Sequence, residues 1–158
     1  MKKNDNCLYV IFGASGDLNK RKLVPSLYAL FVQGLLPEKF AVLGVSRTPF
    51  TDEAHRAAMK ADINKFKEVE DGSQIDAFLQ KIYYAAVQVN DEAAYPTFKQ
   101  QLEDLRIKED IGGNTVFYLS TPPTSYGVIP KHLASVGLNK QKDGWKRLII
   151  EKPFGYDL

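Results

Sequence analysis

The sequence predicts an α/β fold, a single domain built on a doubly wound parallel sheet of about five strands. Short apolar segments rich in β-branched and aromatic residues alternate with longer segments of helical pattern, which is typical of βαβ units with right-handed crossovers. The first apolar segment ends in a glycine turn, Gly13-Ala14-Ser15-Gly16, and such a turn commonly leads a strand into a helix. At 158 residues, of which 44% are hydrophobic, the chain has the size of one globular domain. These observations together favour a Rossmann-like architecture.

The apolar segments and the capping residues predict the elements in order. The expected strands are 7–12, 40–45, 82–89, 115–120 and 147–151. The expected helices run from about Gly16 to Pro25, from Pro25 to about Gln33, from Thr51 or Asp52 to about Lys60, over 76–81, from Asp91 to about Arg106 and over 124–137.

Prolines, glycines and caps decide the helix limits. Pro25 should divide the first helical stretch, because proline lacks an N–H and biases Val24 away from helical geometry. Gly34 should stop the second piece, and Asp91 should cap the helix that follows strand 3. Residues 62–73 are polar and are expected to be helical only in part.

The expected strand order is 3-2-1-4-5, which places a ligand crevice where the order reverses, between strands 1 and 4. In open parallel sheets this crevice lies at the carboxyl ends of the strands. Here it would be built from Gly13–Leu18, Ser120–Pro123 and the end of strand 5.

The glycine turn predicts a phosphate site. A helix that starts directly after a strand carries unpaired N–H donors and the positive end of the helix dipole. Gly13 allows the turn, and Gly16 lets a pyrophosphate or the strand approach without a Cβ in the way. The spacing is G-x-x-G, and the full G-x-G-x-x-G fingerprint would need a glycine at Ile11. The glycines alone therefore also fit an ordinary strand-to-helix turn.

The end of strand 2 indicates which dinucleotide would fit. NAD-binding domains usually carry an acidic residue here that accepts hydrogen bonds from the adenine ribose, whereas an arginine suits a 2′-phosphate. This sequence has Ser46-Arg47 and no acidic residue at the end of the strand. A solvated surface arginine is the alternative, and we favour the phosphate role for Arg47 because its guanidinium can bind a phosphate bidentately.

Two motifs taken together resemble a known family. Residues 13–30 read GASGDLNKRKLVPSLYAL, and Glu151-Lys152-Pro153-Phe154-Gly155 follows about one domain later. A glycine turn followed by Asp-Leu and a basic cluster, and then a Glu-Lys-Pro segment, is similar to the coenzyme domain of the glucose-6-phosphate dehydrogenase family. The resemblance covers nearly the whole chain.

The resemblance implies an NADP site and part of a sugar-phosphate site. The implied cofactor-binding residues are Gly13, Ala14, Ser15, Gly16, Asp17, Leu18, Arg47, Tyr118 and Lys152. Lys22 and Lys152 would contact glucose 6-phosphate, although a basic cluster on a helix is usually a solvated face and a strand residue such as Tyr118 is equally expected to pack. Pro153 should bias Lys152 to an extended conformation, which would give its amine a predictable direction.

The resemblance also implies a division of labour. Members of the family move a hydride from C1 of glucose 6-phosphate to NADP in the pentose phosphate pathway, and a histidine in a downstream segment is the general base. No such segment occurs in these residues, so no catalytic residue is expected here, and the β+α domain that holds the substrate pocket and the dimer interface is expected to be missing. We therefore expect an inactive NADP-binding domain, 1–158, of an enzyme that is a homo-oligomer. The ending at Leu158 looks like a truncation.

Composition and residue spacing indicate which partners, location and metal sites to expect. The formal net charge is +2, which indicates neither a nucleic-acid nor a membrane surface, and the lack of a signal sequence favours a cytoplasmic protein. Cys7, the single cysteine, is expected to pack in the core. His55 and His132 are isolated and show no metal-ligand spacing, so we expect surface or packing roles and no metal site.

Two other functions are considered. A stand-alone nucleotide-binding or regulatory module without dehydrogenase activity is the alternative, and the abrupt ending disfavours it. A generic NAD-dependent short-chain enzyme would need a Tyr-x-x-x-Lys acid/base pair at the site, and we expect none.

Overall fold

A parallel sheet organises the chain. The computed structural model describes residues 5–14, 16, 19–66, 69–141 and 143–150. The strands in this part are β1 (Cys7–Phe12), β2 (Phe40–Ser46), β3 (Ile82–Ala86), β4 (Thr115–Leu119) and β5 (Lys146–Ile150). They form one sheet in the order β3-β2-β1-β4-β5, with every neighbouring pair parallel. The predicted fold class and strand order are confirmed.

Helices cover both faces of the sheet. The α-helices in the described part are α1 (Val24–Val32), α2 (Asp52–Phe66), α3 (Ile75–Leu79), α4 (Tyr95–Glu109) and α5 (Val128–Ser135). Short 3₁₀ turns precede α4 and α5, at Glu92–Ala94 and Pro123–Ser125. Within the described ranges, no helix is long and apolar enough to cross a membrane.

The alternation of side chains along the strands creates two hydrophobic cores. In β1, Leu8, Val10 and Phe12 belong to the core that contains the buried side of α4. Ile11 belongs to the opposite core, which α1, α2 and α3 cover. Because both faces of the central strands are buried, these strands are apolar almost throughout, as expected for a parallel sheet. Cys7 is buried as expected, and burial raises the pKa of its thiol to about 12.

The structure corrects the predicted break at Pro25. Residues Asn19–Leu23 form a π-helical turn that continues directly into α1, whose first residue is Val24. Pro25 lies in the first turn of α1, where an unpaired N–H is normal and proline is tolerated. Gly34 stops the helix as predicted and adopts φ +72°.

Two other element limits differ from the prediction. The helix α2 extends to Phe66 rather than Lys60, since Met59 and Ile63 continue its buried stripe at four-residue spacing. The strand β3 ends at Ala86 rather than at residue 89. Thr51 is the N-cap of α2, where its Oγ1 accepts a hydrogen bond from Ala54 N at 3.0 Å.

Candidate functional site

A cleft of about 340 Å³ opens at the carboxyl ends of the central strands. Gly13 follows β1, Arg47 follows β2, and Thr121 and Pro122 follow β4, and all four residues line the cleft. The pairing of β1 with both β2 and β4 brings these segments together, although they are far apart in the sequence. The cleft therefore lies where the strand order reverses, as predicted, but its composition differs from the prediction. The segment after β2 lines it, whereas Ser120 and the described end of β5 do not.

The turn after β1 is held tightly against the neighbouring strands. Gly13 has φ +86°, and a Cβ at this position would lie 2.6 Å from the carbonyl oxygen of Ser120. Ser120 donates two hydrogen bonds to the Phe12 carbonyl, one from its backbone N at 3.0 Å and one from its Oγ at 2.8 Å. The backbone of the turn thus passes directly over the end of β4, which a side chain at position 13 would prevent.

The described amides of this turn already have acceptors. Gly13 N and Ala14 N both donate to the Val45 carbonyl, at 2.9 and 3.1 Å, and Gly16 N donates to the Gly13 carbonyl at 2.9 Å. These three amides are therefore not the unpaired phosphate donors that the sequence predicted, because they shape the turn instead. Ser15, Asp17 and Leu18, which the sequence analysis also assigned to the coenzyme, lie outside the described residues.

Asn19 fixes the far side of the turn, a role that sequence reasoning missed. Its side chain is 1% exposed, and its Nδ2 donates to the Ala14 carbonyl at 2.6 Å. An asparagine at the start of a helical segment commonly makes such local backbone bonds, and this was the available signal in the sequence.

Arg47 extends from the end of β2 into solvent. Its side chain is exposed, and no hydrogen bond or ion pair joins it to the part of the chain that the structure describes. The residues on either side, Ser46 and Thr48, also line the cleft and carry no negative charge. The guanidinium is therefore available to an anion bound in the cleft.

The other predicted site residues are not all brought to this cleft. Lys22 lies on the π-helical turn and is exposed. Tyr118 lines a separate apolar groove of about 230 Å³ beneath α1, together with Tyr9 and Ile149. Lys152 lies outside the described residues. The structure brings Gly13 and Arg47 together, and the roles of the other three residues stay predictions.

Neither histidine lies among the residues that line the cleft. His132 packs on the ring of Tyr95, with 5.2 Å between the ring centroids, and His55 packs on Tyr84 at 4.9 Å. The expected packing roles are confirmed. In the described ranges, no group of three or more histidine, cysteine and acidic side chains could hold a metal ion.

The Tyr-x-x-x-Lys spacing occurs once, at Tyr95 and Lys99, which the sequence analysis did not expect. Tyr95 is wholly buried in the core, and its hydroxyl donates to the Val89 carbonyl at 2.9 Å. Burial raises the pKa of Tyr95 to about 12. This tyrosine has no access to a substrate, so the pair has a packing role.

His55 gives the domain a pH-dependent stability. The pKa of its imidazole is lowered to about 4, chiefly by burial, with an opposing effect of Asp52 and a smaller lowering effect of the nearby Arg56. The folded protein thus holds His55 neutral, whereas in the unfolded chain its pKa is about 6.5. Between these two values the unfolded state binds more protons, so stability is lost as the pH falls from about 6.5 towards 4.

We expect the wild-type free energy of unfolding to fall by up to about 3 kcal/mol over this range through His55 alone. Urea titrations at several pH values, on the wild type and on His55→Gln, measure this contribution as the difference between the two curves. The His55→Gln curve should be flatter from pH 6.5 to 4. Parallel curves would contradict a neutral, buried His55.

The chain is similar in sequence to one family. A family model described as "Glucose-6-phosphate dehydrogenase, NAD binding domain" matches residues 10–158. The glucose-6-phosphate 1-dehydrogenase of Aggregatibacter actinomycetemcomitans is 49% identical over 155 residues, which cover 98% of this chain and 31% of that protein. The protein of the same name from Treponema pallidum is 42% identical over 153 residues, which cover 96% of this chain and 30% of that protein.

Solved structures show the same similarity. A glucose-6-phosphate dehydrogenase in complex with its substrate glucose-6-phosphate superposes with a TM-score of 0.81 at 28% identity, over 99% of this chain and 32% of that one. The chain thus spans about a third of the length of the relatives that it matches.

Proposed function

Since this chain belongs to the glucose-6-phosphate dehydrogenase family, we propose that it is the coenzyme-binding domain of an NADP-dependent enzyme that oxidises glucose 6-phosphate to 6-phosphogluconolactone. We also propose that the whole enzyme acts in the pentose phosphate pathway, lies in the cytoplasm and is a homo-oligomer. In this division of labour, residues 1–158 hold the coenzyme, and the general base and the dimer interface belong to a β+α domain.

The observation that carries the choice of coenzyme is the position of Arg47. This arginine lies at the end of β2, where the adenine ribose of a bound dinucleotide meets the sheet in folds of this class. A 2′-phosphate there gains a charge-assisted and potentially bidentate partner, whereas a carboxylate at the same place would repel it. The guanidinium of Arg47, which is exposed and has no partner among the described residues, fits NADP better than NAD.

The shape of the turn after β1 fits a dinucleotide as well. The absence of a Cβ at Gly13 lets the backbone cross the end of β4, and Gly13 lines the same cleft as Arg47. The turn from Gly13 to Leu18 would hold the pyrophosphate through groups other than the Gly13, Ala14 and Gly16 amides, which bond within the protein. Tyr118 and Lys152 would lie against the remainder of the coenzyme. When bound, NADP supplies the hydride acceptor of the reaction. Lys22 and Lys152 would contribute positive charge to hold the phosphate of glucose 6-phosphate.

The test of the proposed coenzyme is a pair of binding measurements on Arg47→Ala. We expect the wild-type chain to bind NADP more tightly than NAD. The substitution should weaken NADP binding by about 1.5–3 kcal/mol, the range for a hydrogen bond to a charged group, and should leave NAD binding nearly unchanged. Isothermal titration calorimetry with both coenzymes on both proteins measures the two losses.

A matched control is Arg147→Ala, which removes another exposed arginine, one that stacks on Trp145 with the guanidinium carbon 4.3 Å from the ring centroid. This variant should keep the preference of the wild type for NADP. Equal losses of NADP and NAD binding in Arg47→Ala would mean that Arg47 has a structural role and does not read the 2′-phosphate.

A further inference from the structure

The hydroxyl of one tyrosine, Tyr84, is hydrogen-bonded to the residues on both sides of Arg47. Tyr84 lies on β3, which pairs with β2 so that Tyr84 is opposite Gly44. The Ser46 hydroxyl donates to the Tyr84 hydroxyl, and the Tyr84 hydroxyl in turn donates to the Thr48 carbonyl. The residue before Arg47 and the residue after it are therefore linked through one oxygen atom.

Tyr84 is itself fixed on several sides. Its ring packs against His55, with centroids 4.9 Å apart, and against Phe50 in an edge-to-face arrangement at 5.4 Å. Its backbone N–H donates to Asp52 Oδ1 at 2.8 Å, which joins β3 to the first turn of α2. The phenol is thus held from the helix and from the loop, and its hydroxyl has a defined position.

We propose that Tyr84 is a positioning residue for the recognition of the 2′-phosphate, acting through Ser46 and Thr48 on Arg47. This inference rests on the proposed function of Arg47. Since the Arg47 side chain has no described partner of its own, the direction in which it leaves the sheet depends on the backbone that carries it. A backbone fixed before binding leaves less conformational freedom to be lost when the phosphate arrives, which increases affinity.

The neighbouring Tyr83 provides a matched comparison on the same strand. Its side chain points to the opposite face of the sheet, where it is 8% exposed and its hydroxyl donates to Glu109 Oε2. Glu109 also forms an ion pair with Lys81 at 2.8 Å. Removing the hydroxyl of Tyr83 breaks a hydrogen bond to a carboxylate, whereas removing that of Tyr84 breaks the two bonds to Ser46 and Thr48. Among the described residues, no hydrogen bond or ring contact joins Tyr83 to the segment that carries Arg47.

The experiment compares Tyr84→Phe with Tyr83→Phe, using 2′,5′-ADP and 5′-ADP as the probes in isothermal titration calorimetry. The ratio of the dissociation constant for 5′-ADP to that for 2′,5′-ADP isolates the contribution of the 2′-phosphate. In Tyr84→Phe we expect 2′,5′-ADP binding to weaken about three- to tenfold, as for the loss of one or two hydrogen bonds, and 5′-ADP binding to change by less than about twofold. In Tyr83→Phe the ratio should stay at the wild-type value.

Ser46→Ala is a second variant, which removes the hydrogen bond from the Ser46 hydroxyl to Tyr84. Like Tyr84→Phe, it should lower the ratio of the two dissociation constants. Circular dichroism establishes that each variant is folded. A loss of discrimination between the probes in Arg47→Ala, but not in Tyr83→Phe, would support the role of Arg47. If Tyr84→Phe and Ser46→Ala then discriminate as fully as the wild type, Tyr84 has no positioning role. If the wild type itself fails to discriminate, the proposed coenzyme and this inference are both overturned.

Discussion

Replacing Gly13 by alanine is expected to lower the free energy of unfolding by about 2–5 kcal/mol and to abolish coenzyme binding. The left-handed conformation of Gly13 costs an alanine about 1–2 kcal/mol, and forcing a methyl group into a packed site adds about 1–3 kcal/mol. The added Cβ would lie 2.6 Å from the Ser120 carbonyl oxygen, so the turn and the end of β4 must separate. Urea denaturation measures the loss of stability, and calorimetry with NADP measures the loss of binding.

Gly34→Ala separates the two contributions to this loss. Gly34 also has a positive φ, +72°, but nothing lies within 4 Å of a Cβ built on it. Its substitution should therefore cost only the conformational part, about 1–2 kcal/mol, and should leave coenzyme binding intact. Equal losses of stability in the two variants would show that the approach of Gly13 to Ser120 is unimportant.

The 158-residue chain is expected to form no NADPH from glucose 6-phosphate, even at saturating NADP. Oxidation at C1 requires a group that accepts the proton of the C1 hydroxyl. A lysine with the ordinary pKa of about 10.4 is a poor proton acceptor at neutral pH, and the proposed role of Lys22 and Lys152 is to hold the phosphate of glucose 6-phosphate. His55 and His132, the only histidines of the chain, pack on Tyr84 and Tyr95. The absorbance of NADPH measures the reaction.

A chimera would serve as the positive control for the inactive 158-residue chain. Residues 1–158 followed by the downstream two thirds of the Aggregatibacter actinomycetemcomitans protein should be active, and Lys152→Ala in this chimera should lose several orders of magnitude in kcat/KM. Lys39→Ala, which changes an exposed lysine paired with Asp110, is the control and should keep full activity. Turnover by the 158-residue chain alone would overturn the division of labour, whereas an active Lys152→Ala chimera would overturn only the role of that lysine.

The order of the strands and the position of the crevice were predictable from the sequence. The apolar segments fixed the number of strands, and the rule that ligands bind where the strand order reverses pointed to the turn after β1. Gly13 and Arg47 could be selected because each follows directly on a strand. Such local signals are sufficient when the sequence neighbours of a residue determine its environment.

The parts that the sequence did not reveal depend on contacts between distant segments. Tyr84 carries no motif, and its bonds to Ser46 and Thr48 exist only because β3 pairs with β2 in one register. The helical segment continues past Pro25 because the π-helical turn Asn19–Leu23 leads directly into α1, and residue propensities do not predict a π-helical turn. The length of α2 likewise follows from the burial of Met59 and Ile63 against other elements.

The isolation of Arg47 has a consequence for how this protein can change over evolutionary time. Its side chain is exposed and has no partner in the part of the chain that the structure describes, so substitutions at position 47 should be nearly neutral for stability. Ser46 and Tyr84, by contrast, are bonded to one another and to the backbone. If Arg47 reads the 2′-phosphate as proposed, a mutation of this single codon would alter the coenzyme preference while the surrounding scaffold is preserved. A lineage could then exchange one dinucleotide for the other without losing the fold.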